Sequence, residues 1–173
     1  MENKIYFIWI TLCLIAFIIR TSYEILKYLN KIIPGKISFM IIFSNMALLW
    51  TSWLLACSND PVSMNLPVIL RYAGLFLVIS GVIIFLVSLL TIKTLESYEG
   101  NLITKGIYSK IRHPMYLSFI FWLSGLPVFI DAFISFLISF LFISNVLYWR
   151  YLEEIELVKR FSEYKEYRKS TLF

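Results

Sequence analysis

Five apolar runs separated by short polar segments dominate the sequence: residues 5–19, 37–57, 67–90, 115–130 and 132–149. A helix needs about 20 apolar residues to cross the hydrocarbon core of a bilayer. The second and third runs reach that length. The first is short, and Arg20 extends it by carrying its charge out to the interface on an apolar stem. Only Asp131 separates the fourth from the fifth, so these two form a tight helical hairpin, with Pro127 near its tip expected to break the helix. Sixty per cent of the 173 residues are hydrophobic and 16% are charged. A soluble domain of this length could not hide so much apolar surface, so lipid must solvate part of it. The expected fold is all-α: a single membrane domain over residues 1–173 with five transmembrane helices. Residues 1–90 are scaffold, and residues 91–173 hold the polar clusters.

The basic residues fix an orientation. Arg20, Lys27, Lys31 and Lys36 lie between the first and second runs, and Lys93, Lys105, Lys110 and Arg112 precede the fourth. Arg150, Lys159, Arg160, Lys165, Arg168 and Lys169 follow the fifth, whereas residues 58–66 contain no Lys or Arg. Fourteen of the 16 basic residues therefore fall on alternate loops. The positive-inside rule places the N-terminus outside and the C-terminus in the cytoplasm. The same rule accounts for the net charge of +5, and with no basic recognition motif nucleic acid is not an expected partner. Cys13 and Cys57 lie inside apolar runs, without Cys-x-x-Cys spacing and with one His in the chain, so neither a metal site nor a disulfide framework is expected. The first run lacks a small-residue cleavage site and reads as a retained span.

Two polar clusters flank the hairpin. The first runs from Gly106 through Tyr108, Arg112, His113 and Pro114 to Tyr116. Proline suits the first turn of a helix, where its missing N–H costs nothing, so the fourth span begins there. Free N–H groups at a helix start and the planar Arg112 fork together suit an anion, with His113 beside them. The competing reading is a capping turn and an Arg that touches lipid headgroups.

The second cluster, Arg150 to Leu157, follows the fifth span directly. Glu156 has Lys159 and Arg160 at i+3 and i+4, an ordinary helical pairing. Glu153 and Glu154 have no such partner ahead of them. A hairpin brings its ends together, so the Arg112/His113 side should face the Glu153/Glu154 side. Opposed cationic and anionic walls suit a zwitterion or a ribose diol; the alternative is a direct Arg–Glu clamp that closes the hairpin. Beyond the span, Leu152, Ile155, Val158, Phe161 and Tyr164 recur at helical spacing among charges, as in a cytoplasmic amphipathic helix lying on the membrane or under the bundle.

The run from Thr104 to Tyr116 with Arg112-His113-Pro114-Met115-Tyr116 at its end, then Gly125, Glu153-Glu154, Phe161, Tyr164 and Tyr167, resembles the isoprenylcysteine carboxyl methyltransferase family. Phospholipid methyltransferases share much of the pattern. The resemblance spans roughly residues 91–169. It implies an S-adenosylmethionine-dependent enzyme in the membrane, with the cofactor held between the last two spans and the tail. By position, Arg112, His113, Tyr116, Glu153 and Glu154 would line that pocket, with Gly106 and Tyr108 in the loop closing over it. The chain departs from the family pattern at Ser118 and at Phe161-Ser162, and it lacks a proline-bearing terminal segment.

The expected reaction is methyl transfer to a lipophilic small-molecule or lipid-modified substrate, either an isoprenylcysteine-type carboxylate or a lipid amine. Arg150 is expected to orient the acceptor, and Glu154 or His113 to take the proton of an amine. The runner-up is an NADPH-dependent membrane reductase of the sterol-reductase type, though no dinucleotide fingerprint is present. The non-enzymatic alternative makes both clusters simple helix caps. Oligomeric state is not readable.

Overall fold

The computed structural model describes residues 2–32, 35–92 and 102–173. Lys93, counted above among the basic residues, lies outside them. The described residues form helices α1 (Glu2–Tyr28), α2 (Lys36–Ser58), α3 (Val68–Ile92), α4 (Pro114–Ile130), α5 (Phe133–Arg160) and α6 (Tyr164–Ser170), with a 3-10 turn at Gly106–Ser109 before α4. No strand forms among them; two isolated bridges, Ser63 with Ala132 and Ile111 with Leu172, are the only sheet-like pairings there. Helices α1, α2, α3 and α5 are long and apolar enough to span a membrane. With 17 residues, α4 is about 26 Å long at 1.5 Å per residue, a few ångströms short of the roughly 30 Å core. The protein is an integral membrane helical bundle.

Large apolar side chains on α3 point outward, among them Ile69, Phe76 and Leu90, as lipid-facing positions should. The inward face of α3 is a seven-residue repeat of small side chains, Gly74, Gly81 and Ser88, all buried. It lies against Ser118 and Gly125 on α4: a Cβ on Gly81 would sit 3.0 Å from the Ser118 carbonyl oxygen. Between helices in lipid, where apolar burial gives no driving force, such close approach supplies the van der Waals contact. Elsewhere polar side chains join the helices. Asn45 on α2 donates to the Ala16 carbonyl at 3.0 Å. Trp149 Nε1 on α5 donates to Thr21 Oγ1 on α1 at 2.9 Å, and Phe17 stacks on Phe142 at 4.0 Å.

The hairpin forms at Asp131, which takes the left-handed conformation (φ 73°). Pro127 does not break the helix: α4 continues past it to Ile130. Pro127 is fully buried, and its carbonyl accepts from the Ala132 N–H at 2.8 Å, which closes the turn into the hairpin. The α2–α3 loop ties the hairpin tip down. Ser63 and the Leu66 N–H hydrogen-bond the Asp131 carboxylate, and Asp60 accepts from the Ser135 N–H and hydroxyl, both at 2.7 Å. At the other end the amphipathic stretch is not a separate helix at first. It prolongs α5 to Arg160, turns at Phe161 in an extended conformation, and resumes as the short α6.

Candidate functional site

The end of the bundle where α1 and α5 finish and α4 begins gathers both polar clusters. His113 is the N-cap of α4, with Pro114 in the first turn. This fixes the imidazole where the fourth helix enters the bundle, and it is 4% exposed. Its Nε2 lies 3.3 Å from Glu154 Oε1 and 3.2 Å from the Tyr164 hydroxyl. Arg112 Nε lies 3.4 Å from the same Glu154 oxygen, and Arg168 Nη1 lies 3.9 Å from Glu154 Oε2. The two sides of the hairpin thus meet as the opposed charges require, and the direct Arg–Glu contact is part of the arrangement.

The contact is not saturated. Arg112 Nε and Glu154 Oε1 are both buried and neither completes a hydrogen bond. Buried polar atoms of this kind carry a cost that a bound polar ligand can relieve. The rest of the Arg112 fork is fixed by the segment after α5: Nη1 donates to the Arg168 and Thr171 carbonyls, each at 2.8 Å. The Arg112 N–H donates to the Leu172 carbonyl at 3.0 Å, and the Leu172 N–H to the Lys110 carbonyl at 2.8 Å. Burial, with the Glu154 carboxylate alongside, raises the Tyr164 hydroxyl above its ordinary value, so it stays protonated as a hydrogen-bond donor.

The loop residues converge on the same place. Gly106 opens the 3-10 turn at φ 58°, a conformation glycine adopts without strain. Tyr108 is buried, and its carbonyl accepts from the Tyr167 hydroxyl at 2.5 Å. Burial raises the Tyr108 hydroxyl too, and the Glu153 carboxylate adds to the effect. Tyr116, also buried, has its ring 5.8 Å from that of His113. Arg150 lies one turn back on α5, its guanidinium 4.4 Å above the Phe173 ring.

Gly106, Tyr108, Arg112, His113, Tyr116, Glu153 and Glu154 therefore occupy one neighbourhood, with Arg150 at its rim. Sequence reasoning missed Tyr164 and Arg168 as partners of Glu154, because their spacing reads as an ordinary amphipathic helix. It also read α1 as scaffold, yet Arg20 and Glu24 pair at 2.5 Å close to Glu153. Among the described residues no three His, Cys, Asp or Glu side chains gather as a metal would need.

An apolar cavity of about 180 Å³ opens between α2, α3 and α4, lined by Trp50, Gly81, Val82, Phe85, Phe119 and Trp122 with Ser118. Phe119 connects it to the polar site, its ring 6.2 Å from Tyr116.

Comparison with curated proteins finds no match, and comparison with solved structures finds none. A sequence model of the isoprenylcysteine carboxyl methyltransferase (ICMT) family matches residues 64–159. That is more than half of the chain; it takes in α3, the loop, α4 and nearly all of α5, the elements that build the site. The chain belongs to the isoprenylcysteine carboxyl methyltransferase (ICMT) family and is a membrane methyltransferase.

Proposed function

We propose that this protein transfers a methyl group from S-adenosylmethionine to a lipophilic acceptor held partly in the bilayer. The observation that carries the reading is the meeting of Arg112 and His113 with Glu154, next to Glu153 on the same helix. The cations suit the carboxylate of the methionine end of the cofactor, and Glu153 suits its ammonium or the ribose diol. The half-satisfied Arg112 and Glu154 atoms are the kind of groups such a ligand would complete. The residues present therefore fit the cofactor, with Arg112, His113, Tyr116, Glu153 and Glu154 lining it and Gly106 and Tyr108 covering it.

A sulfonium donor supplies an already activated methyl group. The protein's part is alignment, which is worth up to about 7–11 kcal/mol of barrier. Glu154 faces Arg112, His113 and Arg168, so it anchors the cluster more readily than it takes a proton. Arg150, braced on Phe173, orients the acceptor. The positive-inside rule supports a cytoplasmic position for this end of the bundle, where the cofactor is available, while the acceptor enters sideways from lipid. The cavity beside Tyr116 supports an apolar tail there. Each methylene buried contributes about 0.8 kcal/mol, which gives ample affinity without a specific polar contact.

Calorimetry on the detergent-purified protein tests this reading. S-adenosylhomocysteine should bind and NADPH should not; binding of NADPH alone would replace the methyltransferase reading with the reductase. A methyl-release assay on acceptors with and without their lipid tail tests the substrate. Equal turnover of the tail-less compound would defeat the lipid acceptor and leave the cofactor assignment standing.

A further inference from the structure

The segment that follows α5 turns back over the polar cluster. Phe161 leaves the helix in an extended conformation, and the residues after it return to the start of α4. The Tyr164 hydroxyl meets His113 Nε2 at 3.2 Å. The Tyr167 hydroxyl donates to the Tyr108 carbonyl at 2.5 Å. Arg168 Nη1 reaches Glu154 Oε2 at 3.9 Å, and the Arg168 and Thr171 carbonyls accept from Arg112. Leu172 ends the series as the parallel bridge partner of Ile111. Tyr108, Arg112, His113 and Glu154 all belong to the proposed cofactor site, and one strap touches all four.

The cluster is closed as a result. His113 is 4% and Glu154 8% exposed, and a ligand of nucleoside size cannot reach groups so covered unless something moves. The strap is the lightly held part. Its helix α6 has seven residues, too few to be stable alone. Tyr164 is the buried residue of α6, while Lys165, Glu166, Arg168 and Lys169 are exposed. The remaining ties are single hydrogen bonds, one long ion pair and the Phe173 ring against Arg150, contacts whose local opening costs little. Ser162 and Glu163, next to the break at Phe161, are exposed and free of packing that would resist a hinge.

We propose that residues 162–172 form a lid over the cofactor site, which swings about Phe161 to admit S-adenosylmethionine and again to release S-adenosylhomocysteine. The inference rests on the methyltransferase reading above. The Tyr167–Tyr108 hydrogen bond is the latch. It joins the lid to the loop before α4 and uses a backbone carbonyl, so it holds the lid shut over an empty and a filled site alike. Such a latch sets the rates of exchange and leaves affinity alone. Opening then limits how fast spent cofactor leaves, as lid motion does in many enzymes.

The test uses the full-length protein in detergent and radiolabelled S-adenosylhomocysteine, timed by rapid filtration. Tyr167→Phe removes the latch hydroxyl and keeps the ring. It should raise the association and dissociation rates together by about two- to tenfold, the value of one hydrogen bond, with the dissociation constant unchanged. Unchanged rates, or faster dissociation alone with weaker binding, overturn the latch and make Tyr167 a pocket wall. A cysteine pair perturbs the lid the other way. Bridged neighbours such as Ile111 and Leu172 lie about 4.8 Å apart, within the span of a disulfide, and the native Cys13 and Cys57 are buried. Ile111→Cys with Leu172→Cys, oxidised while empty, should lose uptake of the ligand. Oxidised with ligand bound, it should retain it, and reduction should restore exchange in both. Normal uptake by the oxidised empty protein overturns the lid and leaves the cofactor assignment standing. If wild type does not bind S-adenosylhomocysteine, the parent reading falls and the lid with it. Should the cysteine variant fail to bind even when reduced, the Tyr167→Phe rates decide alone.

Discussion

Gly74 on α3 and Gly125 on α4 face each other so closely that a Cβ built on Gly74 would stand 2.8 Å from the Gly125 carbonyl oxygen, and one on Gly125 would stand 2.8 Å from that of Gly74. The obstacles are backbone atoms, which cannot swing aside. Gly125→Val should therefore push α3 and α4 apart and destabilise the protein by about 1–3 kcal/mol, the usual cost of overpacking. Thermal unfolding in detergent measures it. Gly35, with nothing near its Cβ position, serves as the control, and Gly35→Ala should leave the midpoint unmoved.

Arg112→Ala and Glu153→Ala should each weaken S-adenosylhomocysteine binding by roughly tenfold or more, the value of one lost charge-assisted hydrogen bond. The two differ in their effect on the apo protein. Arg112 also holds the Arg168 and Thr171 carbonyls, so its loss should lower thermal stability as well. Glu153 forms no ion pair among the described residues, and its loss should spare stability. Unchanged affinity in both variants would reduce the cluster to a helix clamp.

Asp131 gives the hairpin tip an acid limit. Hydrogen bonds from Ser63 and the Leu66 N–H hold its carboxyl below the ordinary value. The folded protein thus takes up this proton less readily than the unfolded chain does. The stability it contributes is complete above the unfolded aspartate value, about 3.9, and is lost as pH falls through the lower folded value. Unfolding midpoints from pH 5 down to about pH 3 should drop less steeply in Asp131→Asn than in wild type. Parallel curves would remove Asp131 from the account.

Orientation follows from the loops. A reporter fused after Phe173 should read as cytoplasmic and one inserted near Asn59 as external. The reverse pattern would invert the assignment of both ends.

The helices were legible because each apolar run has to satisfy its own backbone in lipid, and α2, α3 and the Asp131 turn fall where the runs predict. The meeting of Arg112 and His113 with Glu154 was legible for the same reason, since a hairpin leaves its two ends no choice but to meet. What the sequence hid depends on non-local register. Nothing in the spacing of Arg20 and Glu24 shows that α1 lies alongside α5, because an i, i+4 ion pair near a span end looks the same on any helix. Nor does the amphipathic period through Tyr164 reveal the turn at Phe161 that swings Tyr164 and Arg168 back toward Glu154. Pro127 misled because a proline near a span end reads as a stop, yet α4 continues past it to Ile130.

The parallel bridge between Ile111 and Leu172 bears on the order of synthesis. The Arg112 guanidinium finds its acceptors 56 and 59 residues later in the chain, on the far side of two membrane helices. While those residues are still on the ribosome, α4 enters the bilayer with Arg112 exposed to water and headgroups and without its carbonyl partners. A nascent chain released short of residue 168 would carry α1 to α5 and pass as correctly inserted, yet its polar end would remain unassembled.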